Sequence, residues 1–146
     1  SIESRCKDEI IRLHVFFVDW FKASLPNTDE QFDAFTKCMA PQFHIVSPRG
    51  VVDALPKLTS GLRSAHGVHQ DSGFAIEIKN CRFMFGAEGS GSDGCYLMTY
   101  EEWQTVGTNE TARISTVMFR EKEEEGIGDL EWVHVHETWL PDMGLP

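Results

Sequence analysis

The sequence has few positive charges and no long hydrophobic run. Its 13 Lys and Arg residues face 23 Asp and Glu residues, which gives a formal net charge of −10. A surface of that sign repels phosphate backbones and anionic lipid headgroups, so we expect no nucleic-acid partner and no membrane partner. The apolar run from Val15 to Val18 stops at Asp19 and is far shorter than the roughly 20 residues that span a bilayer. The first residues also lack the basic and apolar segments of a secretory signal.

The chain also lacks the close cysteine spacing of metal and redox motifs. Cys6, Cys38, Cys81 and Cys95 lie far apart, and no C-x-x-C pair occurs. Three of them have apolar neighbours, which favours buried free thiols over disulfides or zinc ligands. We therefore expect a cytoplasmic protein that needs no cofactor.

The first half of the chain is predicted to be mainly helical. Apolar residues recur there at spacings of three and four, which indicates a helix with one buried stripe. The stripe consists of Ile2, Cys6, Ile10, Leu13, Phe17, Trp20 and Phe21. This helix must end before Pro26, and the capping box of Thr28 and Gln31 predicts a second helix that Pro41 ends. A short strand at 43–47 and a third helix built on leucines follow.

The second half has the period of β-strands. Four strands separated by turn-rich segments predict an antiparallel meander. They are expected at residues 73–86, 95–106, 111–122 and 130–140. In the first strand the apolar parity changes near Asn80, which predicts a bulge that bends the sheet. The connections at 87–94 and 123–128 are predicted to be hairpin tips.

This order of elements predicts a fold of the α+β class. We expect one domain over residues 1–146, with three N-terminal helices packed on a curved antiparallel sheet of about five to six strands. Neither face of the last strand is simply polar, because Trp132, His134 and His136 share one parity while Val135 and Glu137 share the other. Helices can cover one face, and a second copy of the chain is the simplest cover for the other. We therefore predict a homodimer or a larger assembly.

The C-terminal strands resemble those of a known superfamily. Residues 128–138 are similar to the closing strand of nuclear transport factor 2-like proteins, which include the SnoaL-like cyclases and ketosteroid isomerases and have a cystatin-like fold. Residues 95–100 and 115–120 look most like the association domain of calcium/calmodulin-dependent kinase II. This resemblance implies a cone-shaped pocket between the helices and the concave sheet, with dimerisation through the outer sheet face.

The same resemblance favours an inward direction for the two histidines of the last strand. The residues then expected to bind a ligand in the pocket are Phe17, Thr116, Trp132, His134 and His136. A catalytic pocket would use His134 or His136 together with Tyr100 and Arg113, because central residues of neighbouring antiparallel strands align. Arg113 is equally suited to an ion pair with Glu101 or Glu102. Two imidazoles supply too few ligands for a stable metal site, so we predict none.

The function predicted from these residues is the binding of an unknown small apolar molecule by a homodimeric domain. Two alternatives stay open. One is a cofactor-independent acid-base enzyme, namely an isomerase, dehydratase or hydrolase, and the other is an association module. Whether the chain is an enzyme is not decided by its sequence.

Overall fold

The structure, a computed structural model, describes residues 1–86, 94–122 and 129–146. Within these ranges three helices and six strands form an α+β fold with a curved, open sheet. The elements are α1 (Ile2–Phe21), α2 (Asp29–Thr36), β1 (Met39–Val46), β2 (Val52–Ala54), α3 (Leu55–Ser64), β3 (Ala75–Phe85), β4 (Cys95–Val106), β5 (Asn109–Glu121) and β6 (Leu130–Trp139). The predicted tips at 87–93 and 123–128 lie outside the described residues.

The first two helices begin where the sequence predicts. Ser1 caps α1 by accepting a hydrogen bond from the backbone N–H of Ser4. Most of the predicted stripe is buried, but Phe17 and Phe21 are half-buried, and His14 and Phe16 are buried in addition. Thr28 caps α2 by accepting from the N–H of Gln31 at 3.2 Å. However, α2 ends at Thr36, and Pro41 lies inside β1 instead of ending the helix. The missing N–H of Pro41 is tolerated because the pairing of β1 with β6 is irregular between Met39 and His44.

The sheet has the strand order β2-β1-β6-β5-β4-β3. Strands β3 to β6 form the predicted antiparallel meander. In contrast to the prediction of an antiparallel sheet, β1 pairs with β6 in parallel. This is possible because the chain returns to β6 only after α3 and three further strands, and a long crossover allows parallel pairing. The short strand predicted between the second and third helices is present as β1, and β2 follows it before α3.

Two irregularities change which residues of a strand face the helices. The predicted bulge near Asn80 is present, because the register of β3 and β4 shifts between Lys79 and Arg82 and Asn80 has a φ of 52°. A second shift lies in β6, where Trp132 pairs with Phe119 but His134 pairs with Met118. Val133 is therefore an extra residue in β6. Such a residue reverses the facing of all the side chains that follow it.

The helices cover the inner face of the sheet and form the core with it. Trp20 of α1, Phe35 of α2, Phe43 of β1 and Tyr96 of β4 are all buried there. The indole Nε1 of Trp20 donates to the carbonyl oxygen of Leu62 at 2.8 Å, which attaches α3 to α1. None of the helices in the described ranges is both long and apolar enough to cross a bilayer.

Candidate functional site

A cavity of about 180 Å³ lies between the helices and the inner face of the sheet. Most of its wall is aromatic or aliphatic and includes Phe17, Phe35, Phe43, Leu58, Ile76 and Trp132. The polar part of the wall consists of His14, Tyr100, Glu102 and Gln104. The cavity is thus apolar with one polar end, which is the usual arrangement of a binding site that orients its ligand.

The polar end is built around a buried pair between α1 and β4. The Nε2 atom of His14 lies 2.9 Å from Oε1 of Glu102, and its Nδ1 atom lies 2.7 Å from the carbonyl oxygen of Ile10. Both neighbours are acceptors, so both ring nitrogens must donate, and only the imidazolium carries two N–H groups. Gln104 also donates a hydrogen bond to the Glu102 carboxylate. The structure therefore contains an ion pair away from solvent.

The charges of this pair are consistent with the pKa shifts of its members. Burial alone would lower the pKa of His14, but the adjacent Glu102 carboxylate outweighs burial and raises it. Burial alone would raise the pKa of Glu102, but His14 and then Arg113 outweigh it and hold this pKa at about 2. Both shifts favour the charged form of the group concerned.

Tyr100 connects this pair to the neighbouring strands. Its ring centroid lies 5.4 Å from that of His14 in an edge-to-face contact. It pairs across the sheet with Ser115, which in turn pairs with Glu137. Burial and then the charge of Glu102 raise the pKa of Tyr100 well above its usual value. The phenol therefore stays protonated and can donate a hydrogen bond.

A second buried carboxyl group, that of Glu137, lies two strands from Tyr100. Nη1 of Arg113 is 3.4 Å from its Oε1, and Oγ of Ser115 is 3.5 Å from its Oε2. Both contacts are long, so burial dominates and raises the pKa of Glu137 to about 7. Two nearby carboxyl groups with pKa values of about 2 and about 7 differ in the way that is typical of acid-base sites.

Arg113 borders this cluster but does not line the cavity in the way the sequence suggested. Its ion-pair partner is Glu137, whereas the sequence offered Glu101 or Glu102 as partners alongside a ligand-binding role. Its guanidinium also lies over the Trp139 ring, 4.8 Å from the centroid. Its Nε is buried without a hydrogen-bond partner among the described residues. Arg113 thus mainly compensates the second carboxyl group.

The structure brings together some of the other predicted site residues. Phe17, Tyr100 and Trp132 all line the cavity. Thr116 does not line it. Its neighbours Ser115 and Val117 are buried on the inner face, so the side chain of Thr116 lies on the outer face. Its partners on the adjacent strands are Thr99 and His136. The prediction that Thr116 faces the pocket is therefore wrong.

The predicted inward direction of His134 and His136 is also wrong. Trp132 is buried, but Val133 is the extra residue, and Val135 and Glu137 are the next buried side chains. His136 is exposed on the outer face, and His134, half-buried, lies on the same face with its ring centroid 6.4 Å from that of His136. Because of the bulge, the tryptophan and the two histidines lie on opposite faces of the sheet, although they are spaced at intervals of two in the sequence.

Sequence reasoning missed two central residues of the site. His14 belongs to the buried side of α1 because it follows Ile10 by four residues and precedes Phe17 by three, a spacing that could have identified it. Glu137 was assigned to the outer face because the bulge was not foreseen. Within residues 1–86, 94–122 and 129–146, no three His, Cys, Asp or Glu side chains are grouped so that they could hold a metal ion.

Comparison with known proteins gives one family. A model of the family described as sucrose-6-phosphate phosphohydrolase C-terminal matches residues 6–141. Sucrose-phosphatase 1 of Nicotiana tabacum is 28% identical over 132 residues, which cover 90% of this chain and 30% of the tobacco protein. The chain therefore spans about a third of the length of the curated relatives it matches.

Solved structures confirm the resemblance to nuclear transport factor 2-like proteins. An NTF-2 like protein of unknown function from Pseudomonas aeruginosa superposes with a TM-score of 0.78 at 29% identity, covering 93% of this chain and 98% of that one. The CamKII hub homology domain of Chlamydomonas reinhardtii superposes with a TM-score of 0.65 at 11% identity, covering 96% and 99%. The second likeness concerns the fold alone.

These matches correct the functional prediction. The prediction that the chain's function is to bind a small apolar molecule is wrong, because the family model and the curated relatives name a sucrose-phosphatase, which is a hydrolase. The two alternatives did not name this family either. The chain belongs to the sucrose-6-phosphate phosphohydrolase C-terminal family.

Proposed function

We propose that this chain is an accessory domain in the hydrolysis of sucrose 6-phosphate and acts beside a phosphatase unit that supplies the catalytic groups. The observation that carries this proposal is the family match over residues 6–141. The alignment with the tobacco sucrose-phosphatase covers nine-tenths of this chain but only 30% of that protein. Most of the relative is therefore available for the phosphatase chemistry.

The electrostatics of the cavity support an accessory role. Its wall contains the Glu102 carboxylate, and none of the residues lining it is Lys or Arg. The positive charge of His14 in this wall is already neutralised by Glu102. Phosphate sites use Arg, Lys, a metal ion or backbone N–H groups. We therefore expect the phosphate of the substrate to be bound outside this cavity.

A domain replacement tests the proposal. The segment of tobacco sucrose-phosphatase 1 that aligns with this chain would be exchanged for this chain, and phosphate release from sucrose 6-phosphate would be measured. A matched control would carry the Chlamydomonas hub homology domain, which has the same fold at 11% identity. We expect the first hybrid to keep most of the kcat/KM of the intact enzyme and the control to lose it.

Two results would contradict the accessory role. If the isolated chain released phosphate from sucrose 6-phosphate, it would be catalytic by itself. If both hybrids behaved alike, the chain would make no contribution that depends on its sequence.

We also propose that copies of the chain associate through the outer face of the sheet. Ile114 and Met118 expose 36% and 37% of their surface on this face, and Leu97 pairs with Met118 there. Exposed apolar residues on a sheet face favour association. Sedimentation should show association that increases with concentration and that Met118→Glu abolishes. Val15→Glu on the exposed side of α1 is the control, and a monomer at all concentrations would contradict the proposal.

A cytoplasmic location is the last part of the proposal. Cys6, Cys38, Cys81 and Cys95 are all free. Free thiols persist in reducing compartments, whereas secreted domains tend to form disulfides. Fractionation of cells that express the natural protein should recover it with cytoplasmic markers, and recovery from a secreted fraction would refute this.

A further inference from the structure

The burial of the His14–Glu102 pair in the cavity wall has a high cost in desolvation free energy. Both side chains are at least nine-tenths buried, and removing each charge from water costs several kcal/mol before the pair is formed. Two apolar side chains of similar volume would pack between α1 and β4 at least as well. Charged groups retained beside a cavity are therefore candidates for recognising a ligand.

The surroundings of the pair combine flat apolar rings with hydrogen-bonding groups. The rings of Phe17 and Trp132 lie 5.6 Å and 6.4 Å from the His14 ring, and both line the cavity. Glu102 and Gln104 are hydrogen-bonded to each other, but the carboxylate keeps further lone pairs and the amide keeps a second N–H and its oxygen for a ligand. A sugar ring has apolar C–H faces that pack on aromatic rings, while its hydroxyl groups donate to carboxylates and accept from amides.

The charge and size of the cavity restrict the occupant further. The charged residues that line the cavity, His14 and Glu102, neutralise each other, so no cationic group is left to bind a phosphate ester and a neutral ring is favoured. The volume of about 180 Å³ is below the roughly 300–1,000 Å³ of pockets for drug-sized ligands. It corresponds to about six water molecules at roughly 30 Å³ each, which leaves room for one ring but not two.

We propose that the polar end of this cavity binds one neutral hexose ring, either free or as half of a disaccharide, through Glu102 and Gln104. This inference rests on the proposed function, because the sucrose-phosphatase relatives give the reason to consider sugars. The occupant is a polar ring, in contrast to the apolar molecule expected from the sequence. Phe17 and Trp132 contact its C–H faces.

Titration calorimetry on the whole chain tests this site. The probes are sucrose, glucose and fructose, each compared with glucose 6-phosphate and sucrose 6-phosphate. We expect saturable binding of at least one neutral sugar and binding at least about tenfold weaker for the phosphate esters, because a phosphate would be buried without a cationic partner. Glu102→Gln keeps the side-chain shape, and it should weaken sugar binding and reduce the discrimination against phosphate.

A second variant keeps the test decisive if the Glu102 variant does not fold. Gln104→Leu leaves the ion pair intact and should weaken sugar binding about tenfold, since it removes a group that hydrogen-bonds a hydroxyl. His136→Asn on the outer face is the matched control and should leave binding unchanged. A loss of binding in His136→Asn equal to that in Gln104→Leu would overturn the inference.

The inference is also overturned if no neutral sugar binds saturably, or if a phosphate ester binds as tightly as its parent sugar. These failures are distinguishable from failure of the proposed function. A chain that supports the hybrid phosphatase but binds no sugar refutes only the sugar site. A chain that binds a neutral sugar but does not support the hybrid refutes only the accessory role.

Discussion

Histidines lie on both sides of the central sheet, but their surroundings are very different. His14 packs against the inner face with 5% of its surface exposed and with both ring nitrogens engaged. On the outer face His136 is exposed and His134 is half-buried. The denser histidine motif is therefore on the wetter side, and the isolated histidine is next to the cavity. The face of the sheet on which a histidine lies, more than the number of histidines close together in the sequence, decides which imidazole can contact a ligand in the cavity.

The largest effect on stability is expected when the partner of the inner-face histidine, His14, is removed. In the natural chain Nε2 of His14 donates to Oε1 of Glu102 at 2.9 Å. Glu102→Leu removes this acceptor and leaves the buried imidazolium without its counter-ion. Removing one member of a buried pair costs about 3–5 kcal/mol. We expect the free energy of unfolding at pH 7, measured by urea denaturation, to fall by that amount.

The double variant His14→Phe with Glu102→Leu is the control for this prediction. It removes both charges, and replacing a buried pair by apolar groups is often neutral or stabilising. It should therefore recover most of the stability that the single variant loses. A loss below about 1 kcal/mol in the single variant would show that the inner pair is no more important than a surface pair.

A second expected effect concerns the dependence of stability on pH at Glu137. Burial raises its pKa from 4.5 to about 7 in the folded state, so the folded protein binds this proton more tightly than the unfolded chain. The resulting stabilisation is complete below pH 4.5 and is lost as the pH rises through 7. At 1.36 kcal/mol per pH unit, the loss is about 3 kcal/mol.

Glu137→Gln removes this titration. The difference in unfolding free energy between the natural chain and the variant should therefore change by about 3 kcal/mol between pH 4 and pH 8, with the variant relatively more stable at pH 8. Glu110→Gln at the exposed start of β5 measures the general effect of losing one carboxylate. A difference that stays constant with pH would refute a raised pKa at Glu137.

A smaller effect is expected at Tyr100, whose hydroxyl is hydrogen-bonded to Ser115. Tyr100→Phe removes the hydroxyl group but keeps the ring that contacts His14. The loss of one buried hydrogen bond costs about 1 kcal/mol, and urea denaturation should show it. Tyr96→Phe is the matched control, because its hydroxyl bonds to half-buried Glu121. A larger loss in the control would indicate that the Tyr100 hydroxyl is not part of the inner cluster.

The smallest effect is expected on the outer face. Replacing both His134 and His136 by Asn removes two rings that are half-buried and exposed, respectively. Surface substitutions usually change stability by less than about 0.5 kcal/mol. Denaturation of dilute protein checks this, because self-association would otherwise contribute. A loss above about 2 kcal/mol would remove the contrast between the two faces.

Much of the fold could be predicted from the sequence because its signals are local. The stripe of α1, the Thr28 cap of α2 and the full length of β4 each follow from residues a few positions apart. The bulge at Asn80 was predictable because apolar residues change parity on either side of it. Whether the chain forms one domain over its whole length stays a prediction.

The site was harder to predict because its contacts are distant in sequence. His14 and Glu102 are 88 residues apart, and only the packing of α1 on β4 brings them together. Around Val133 both parities of β6 contain apolar and polar residues, so no change of pattern marks the bulge. The assignment to the sucrose-6-phosphate phosphohydrolase C-terminal family required comparison with other proteins, since a shared fold does not determine function.

The extra residue at Val133 has a consequence for aligning this chain with others. A gap of one position, placed before or after Val133, decides whether a neighbouring histidine is matched to an interior or an exterior site. Equivalent positions in β6 should therefore be counted back from Glu137 and not forward from Trp132. By the same logic, the loss of the Val133 codon would remove the extra residue and leave the interior and exterior sets of downstream side chains as they are, because Trp132 and Val135 would then follow simple alternation.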